Sequence, residues 1–437
     1  MTSITIGFIG VGAALLLLVL RVPIAVALGS VSLIGIMEIT SPKAALGVIS
    51  STPFNFIGNW SLTAVPMFLL MGYVCTTTGL TNGLFRAMRI FLARLPGGLA
   101  VTGVAACALF ASASGSSVAT ASAMARIAVP EMLKHKYDSG LASGVIAASG
   151  TLGSLIPPSI LMVLYGIYAE VSIGQLFLAG FIPGLLSAGI YISMIVMRCW
   201  LKPSLAGASN ETYSTREKLH ALREVWPLPV LIFSVLGGIF AGLFSPTEAG
   251  AIGALVSLFI AFTRNQLTWP AFRQAVVHTV IGTSSIFAIL IGTLFFTRFL
   301  ALSRLPTEMS DFVLAATGGN PYLIILGVSV IYIILGMFVE SIGLMLLTLP
   351  ILLPLVNGAD MNLIWFGIIV IKLLEIGLIT PPIGLNVYVI KGALGSSVPI
   401  QKIFQGVTWF LVMDVLTLLL LVAFPILSLW LPALMWR

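Results

Sequence analysis

Apolar runs separated by short polar steps fill the chain, at residues 4–20, 22–39, 61–80, 99–133, 141–169, 175–198, 227–244, 247–263, 278–302, 322–356, 361–390 and 405–433. Most approach the roughly 20 residues with which a helix crosses the hydrocarbon of a bilayer. Four do not fit a simple span. The run 99–133 is apolar on both flanks but carries Ser112, Ser114, Gly115, Ser116, Ser117, Thr120 and Ser122 at its centre, where helix is weakest. The run 322–356 is likewise split. The runs 141–169 and 361–390 meet Pro157-Pro158 and Pro381-Pro382. Proline removes a backbone donor, clashes with the preceding turn and pushes its predecessor out of helix, so each predicts two half-helices around an unwound joint. At membrane depth open backbone survives only when packed in protein or lining a cavity, and interruptions so close in sequence point to a site for something polar.

Basic residues set the expected topology. Arg21, the cluster at Arg86, Arg89 and Arg94, Lys134 and Lys136, the group from Arg198 to Arg223, Arg264, Arg273, Lys391 and Lys402 all face the cytoplasm on one condition. The runs 99–133 and 322–356 must each enter and leave on one side, as re-entrant hairpins. That leaves ten full crossings and two hairpins, with both termini outside. The first hairpin opens to the cytoplasm and the second to the exterior. Residues 203–224 form the one long polar connection, a cytoplasmic surface arm with an amphipathic stretch near its end. The two halves also match. GSLIPPSILMVLYG corresponds to GLITPPIGLNVYVI, and one offset relates Pro157 to Pro381 and Pro130 to Pro354. Inverted repeats over approximately 61–200 and 278–430, each with a hairpin followed by a broken helix, are a secondary-transporter plan.

Composition narrows the class without changing this picture. The 437 residues are 59% hydrophobic and 8% charged, which excludes a soluble protein and makes 1–437 a single integral membrane domain of all-α, polytopic class. The net charge of +7 sits in short loops without aromatic interleaving, so it reads as topology, and no nucleic acid is expected. Cys75, Cys107 and Cys199 stand singly in apolar surroundings, as packed small side chains. The first run lacks a basic leader and a small-residue cleavage site and reads as a retained span. HExxH, GxSxG and Walker signatures are missing, the three histidines are scattered, and no organic cofactor or enzymatic activity is expected.

PMFLLMG at 66–72, SASGSSVATASAM at 112–124, KYDSGLASGVIAASGTLGSLIPPSI at 136–160, LFLAGFIPG at 176–184, PTEAGAIGAL at 246–255 and PPIGLNVYV at 381–389 resemble the large membrane subunit of tripartite ATP-independent periplasmic (TRAP) transporters. The similarity covers nearly the whole chain. It implies an elevator-type secondary transporter of the bacterial inner membrane, driven by sodium ions. It also implies a small four-helix membrane subunit and a periplasmic substrate-binding protein that delivers an organic acid. The alternative is an ion-coupled carboxylate transporter that works without a binding protein, since the same hairpin physics serves it. The second hairpin carries Glu340 where the family usually has aspartate, which alters the reach of the acid by one methylene.

Sodium needs several oxygen ligands, which membrane proteins supply from unwound carbonyls and hydroxyls at half-helix ends. One expected site joins Ser114, Gly115, Ser116 and Ser117 to a joint running from Gly150 through Gly153 to Pro157. The other joins Glu340, Ser341 and Gly343 to a joint from Gly377 to Thr380. For any single serine the competing reading is close helix packing. Arg298 lies in an apolar run, where a charge costs roughly 2.5–3.5 kcal/mol on insertion scales, unless it snorkels to the interface. The family resemblance gives it a carboxylate-binding role. Glu340 either pairs with that arginine or responds to the ion. Asn386 either donates to a substrate oxygen or caps the broken backbone. Lys372 and Glu375 are three apart on one helix, which suits a local ion pair as well as a function, and Asp414 is isolated in an apolar run.

Overall fold

A computed structural model of the chain describes residues 2–80, 83–207 and 213–435. It is helical throughout these residues, with no strand among them. Gly98–Ser114 and Ser117–Lys134 form the first hairpin, and Pro321–Gly336 and Ser341–Gly358 the second. Each turn is made by local chemistry. Gly115 takes the left-handed conformation, φ +60°, that ends the first arm, and extended Ser116 starts the next by accepting from the Ala119 N–H at 3.4 Å. In the second hairpin Glu340 is the extended cap, and its carboxylate accepts from the Gly343 N–H at 3.3 Å.

The broken helices follow their hairpins as expected. Ser139–Leu155 stops before Pro157-Pro158 and resumes as Ile160–Tyr168, while Leu363–Ile379 stops before Pro381-Pro382 and resumes as Leu385–Leu394. Both Pro-Pro bonds are cis. The offset seen in the sequence holds helix for helix. Both second arms have 18 residues and both leading half-helices have 17. The caps correspond too, Ser116 to Glu340 and Asp138 to Asn362.

Helix Ile400–Ala423 shows that the repeats enter from opposite ends. Its Gly406 packs on Gly140 and Gly144, at the start of the first broken helix. Its Leu421 carbonyl accepts from Trp365 Nε1 at 2.9 Å, at the start of the second. Fifteen residues of helix separate these contacts, about 22 Å at 1.5 Å per residue. The Tyr165 hydroxyl, near the end of the first broken helix, donates to the Leu363 carbonyl at 2.7 Å, where the second begins. The halves therefore run antiparallel. Helices Ile24–Ile39, Ala64–Thr77, Pro246–Thr263 and the 35-residue Trp269–Ser303 pack beside one another as a flanking body.

Some expectations need correction. The joints lie at residues 156–159 and 380–384, whereas Gly150, Gly153 and Gly377 are helical. Proline acts on its immediate neighbours, and these glycines serve close packing instead. Among the described residues eight helices are long and apolar enough to cross alone. The spans Ser3–Val19 and Ile24–Ile39 are shorter, and the second broken helix divides its crossing between two pieces. Pro42–Ile57 and Leu84–Leu92 are helices that no apolar run announces, and Phe424-Pro425 ends the run 405–433 early. In the polar connection, Thr215–Val225 opens with a capping box in which the Ser214 backbone N–H and hydroxyl donate to Glu217 and hold its carboxyl below the usual range. The rest of that expected arm includes residues 208–212, outside the described residues.

The backbone contacts of Gly406 make a stability test. A Cβ there would fall 1.8 Å from the Gly140 carbonyl oxygen, whereas one at helical Gly392 meets nothing within 4 Å. Gly406→Ala should destabilise the purified protein by about 1–3 kcal/mol through overpacking, while Gly392→Ala should be neutral or gain up to about 1 kcal/mol of helix propensity. Thermal unfolding of the two variants checks this, and equal shifts would contradict the close approach.

Candidate transport site between the hairpin tips

The first tip is bonded into the first break. The Ile160 N–H, freed by the break, donates to the Gly115 carbonyl at 3.3 Å. Ser117 Oγ donates to the Thr151 carbonyl at 3.2 Å and lies 2.5 Å from Ser154 Oγ. Ser114 Oγ is 2.8 Å from Thr120 Oγ1. Glycines permit this approach, since a Cβ on Gly153 would lie 2.9 Å from the Ser116 carbonyl and one on Gly115 2.8 Å from the Pro158 oxygen. At the second break Gly377 faces Gly336 backbone to backbone, a Cβ on Gly377 falling 2.9 Å from the Gly336 Cα. Thr380 Oγ1 donates to the Ile376 carbonyl at 2.6 Å.

The two tips share one small cavity of about 60 Å³, lined by Ser116, Ser117 and Ser154 from the first repeat and Glu340 and Ser341 from the second. The two expected ion sites thus converge. Beside it opens a chamber of about 270 Å³, bounded by the tips at Ser114, Ser116 and Glu340 and by the flanking body at Tyr73, Thr76 and Ser285. Glu340 is the one charged residue lining either space among the described residues.

Other expected site residues stand elsewhere. Gly150, Gly153 and Gly377 back the tips or the arms behind them, Gly343 packs on Ile24, and Pro157 and Thr380 sit in the breaks without lining either cavity. Asn386 is fully buried, and its amide donates to the Ala147 carbonyl at 3.3 Å, tying the second broken helix to the first. Arg298 is exposed on Trp269–Ser303. It lies nine residues past Ile289, the last of that helix to line the chamber, about 13 Å along the axis. Neighbouring Thr297 faces a separate cleft of about 1010 Å³, which Tyr168, Glu170 and Pro354 also line. The structure therefore does not bring Arg298 to the tips, because the helical turn from Thr297 aims it away. Sequence reasoning missed Tyr73, Thr76 and Ser285, which lie on unbroken helices. The threonine run at 76–78 was the available signal.

Antiparallel hairpins and broken helices that meet on polar cavities define the fold of a secondary transporter. The crystal structure of the Alcanivorax borkumensis YdaH transporter, described as having an unusual topology, shares it with a TM-score of 0.59 at 15% identity, over 87% of this chain and 89% of that one. Residues 11–427 match the profile of the tripartite ATP-independent periplasmic transporter DctM component, and the chain belongs to that family. It is 33% identical to the sialic acid TRAP transporter large permease protein SiaM of Vibrio cholerae, over 92% of this chain and 95% of that protein. It is also 33% identical to the C4-dicarboxylate large permease DctM of the same organism, over 96% of each. Against the isethionate permease DctMQ of Oleidesulfovibrio alaskensis it is 32% identical, over 88% of this chain and 60% of that protein. The chain is a multi-pass permease of the inner membrane and not an enzyme.

The shared cavity predicts energetic coupling between the caps. Ser116→Ala and Glu340→Ala should each cost about 1 kcal/mol as lost helix caps. In a double-mutant cycle by thermal unfolding their effects should deviate from additivity by at least about 0.5 kcal/mol. Strict additivity would show that the tips do not sense each other.

Proposed function

We propose that the chain is the large membrane subunit of a transporter that imports an organic acid, coupled to sodium. It takes the acid from a periplasmic binding protein and works beside a small four-helix membrane subunit. The observation that carries the sodium reading is the charge of the chamber. Its polar lining is Tyr73, Thr76, Ser114, Ser116, Ser285 and the Glu340 carboxylate, with no lysine or arginine among the described lining residues. A carboxylate entering there adds a second negative charge. The N-termini of Ser117–Lys134 and Ser341–Gly358, with those of the resumed half-helices at Ile160 and Leu385, supply partial positive charge around the tips. A cation bound beside Glu340 would keep that carboxylate from opposing the incoming anion. The adjoining cavity of about 60 Å³ offers Ser116, Ser117, Ser154 and Ser341 hydroxyls and the Glu340 carboxylate as oxygen ligands. Anion and sodium then favour each other, which is symport.

Relatives named for C4-dicarboxylate, sialic acid and isethionate support an organic anion as the substrate class, delivered in the manner of the tripartite family. Arg298 is left out of this site, since a cation about 13 Å along the helix from the chamber does not neutralise a bound carboxylate. The chamber lies between two bodies, the tips on one side and Ala64–Thr77 and Trp269–Ser303 on the other. Movement of the tip-bearing body along that wall, elevator fashion, carries the site across the membrane.

Reconstituted vesicles containing both membrane subunits test the reading. With loaded binding protein outside, uptake should require an inward sodium gradient and should fall about tenfold or more in Ser117→Ala, which loses a ligand of the shared cavity. Full uptake on a proton gradient in sodium-free buffer would overturn sodium coupling. Full uptake without the binding protein would overturn the tripartite assignment alone.

A further inference from the structure

Behind the tips, Lys372, Glu375, Asp414, Tyr191 and Ser187 form a cluster with 0% exposure at every member. Lys372 Nζ spends its three donors on the Asp414 carboxylate at 2.6 Å, the Glu375 carboxylate at 3.1 Å and Ser187 Oγ at 3.3 Å. The Tyr191 hydroxyl donates to the same Asp414 oxygen at 2.5 Å. Glu375 Oε1 and Asp414 Oδ2 accept no hydrogen bond, although the backbone of Leu155 lies beside Glu375.

With every group ionised, one ammonium faces two carboxylates, and a net negative charge is sealed inside the protein. Such a charge is far costlier than a neutral cluster. The surrounding elements offer no second cation. Ser139–Leu155, Ser341–Gly358 and Ile426–Leu434 carry no charged residue. Ile160–Tyr168 contributes only the tyrosines Tyr165 and Tyr168. Pro321–Gly336, packed along Leu363–Ile379, carries only Tyr322 and Tyr332, and on the other packed helices Arg198, Cys199, Tyr388, Lys391 and Lys402 are the remaining titratable groups, with the three cations near the helix ends. Three or more acidic, histidine or cysteine side chains suited to a metal do not gather there among the described residues.

We propose that this cluster is a proton-binding site, in which Glu375 carries the proton that balances one ammonium against two buried carboxyl groups. That placement follows from the donors. Asp414 Oδ1 accepts two short hydrogen bonds, whereas Glu375 accepts a longer bond from the same lysine and has only the Leu155 backbone beside its other oxygen, which makes no hydrogen bond. The protonated cluster is neutral and joins Leu363–Ile379 and Ile400–Ala423 of the second repeat to Ile173–Leu201 of the first. Loss of the proton would place an unbalanced charge between them. This site is distinct from the cavity between the tips, although Ser139–Leu155 borders both.

Infrared spectroscopy of the purified full-length protein in lipid nanodiscs, at fixed sodium, tests the assignment. The wild-type spectrum should contain a protonated-carboxyl stretching band at neutral pH that weakens as the pH is raised, and Glu375→Gln should remove it. Because glutamine imitates the neutral acid, this variant should keep the wild-type thermal midpoint at pH 7 and lose its decline at alkaline pH. Persistence of the band in Glu375→Gln together with its disappearance in Asp414→Asn would overturn the placement on Glu375. A wild-type spectrum without a protonated band that either variant removes would overturn the proton site itself.

Discussion

Backbone groups opened inside a membrane protein must find partners there, and the hydrogen bond from Ile160 N–H to the Gly115 carbonyl meets that demand for two segments at once. The donor is freed where Pro157-Pro158 interrupts a helix, and the acceptor where the first hairpin turns. An unsatisfied group at this depth costs several kcal/mol, so break and turn persist because they are placed together. Glycine makes the approach possible: Gly115 lies on Pro158 and Gly153 on the Ser116 backbone at distances that leave no room for a Cβ. The second repeat meets the same demand differently, with Gly336 against Gly377 and the Glu340 carboxylate capping its own helix.

Function grows out of that constraint. Both second arms direct their N-termini at one region, where hydroxyls from the first repeat and a carboxylate from the second line a small polar cavity. The inverted repeat is what brings them there from opposite ends. Its asymmetry matters as much as its symmetry. Ser116 and Glu340 occupy equivalent cap positions, yet only Glu340 carries an acid, and it lines both the shared cavity and the neighbouring chamber. The sealed cluster around Lys372 then holds the two repeats together behind the tips.

Much of this was legible in the sequence because its signals are local. The Pro-Pro steps, the serine-rich turn and the common offset between halves give the hairpins, the breaks and the repeat without tertiary information. The glycines at 150, 153 and 377 misled, since a glycine that admits a neighbouring backbone reads the same as one that unwinds a helix. The placement of Arg298 away from the tips was not legible for a related reason: an apolar run announces the cost of a charge but not the direction in which a turn of helix aims it. The partnership of Lys372 with Asp414 spans 42 residues and two helices, beyond any periodicity. Tyr73, Thr76 and Ser285 become visible only once the flanking helices are placed against the tips.

If, as proposed, cations at the tips balance the charge of the anion, the two bind cooperatively. Equilibrium binding of the organic anion to the purified permease, titrated over sodium concentration at constant ionic strength, measures this directly. Anion affinity should rise steeply with sodium and not with potassium or choline, and, by reciprocity, sodium affinity should rise to the same degree with the anion. Anion affinity unchanged between sodium-free and sodium-saturated conditions would contradict it.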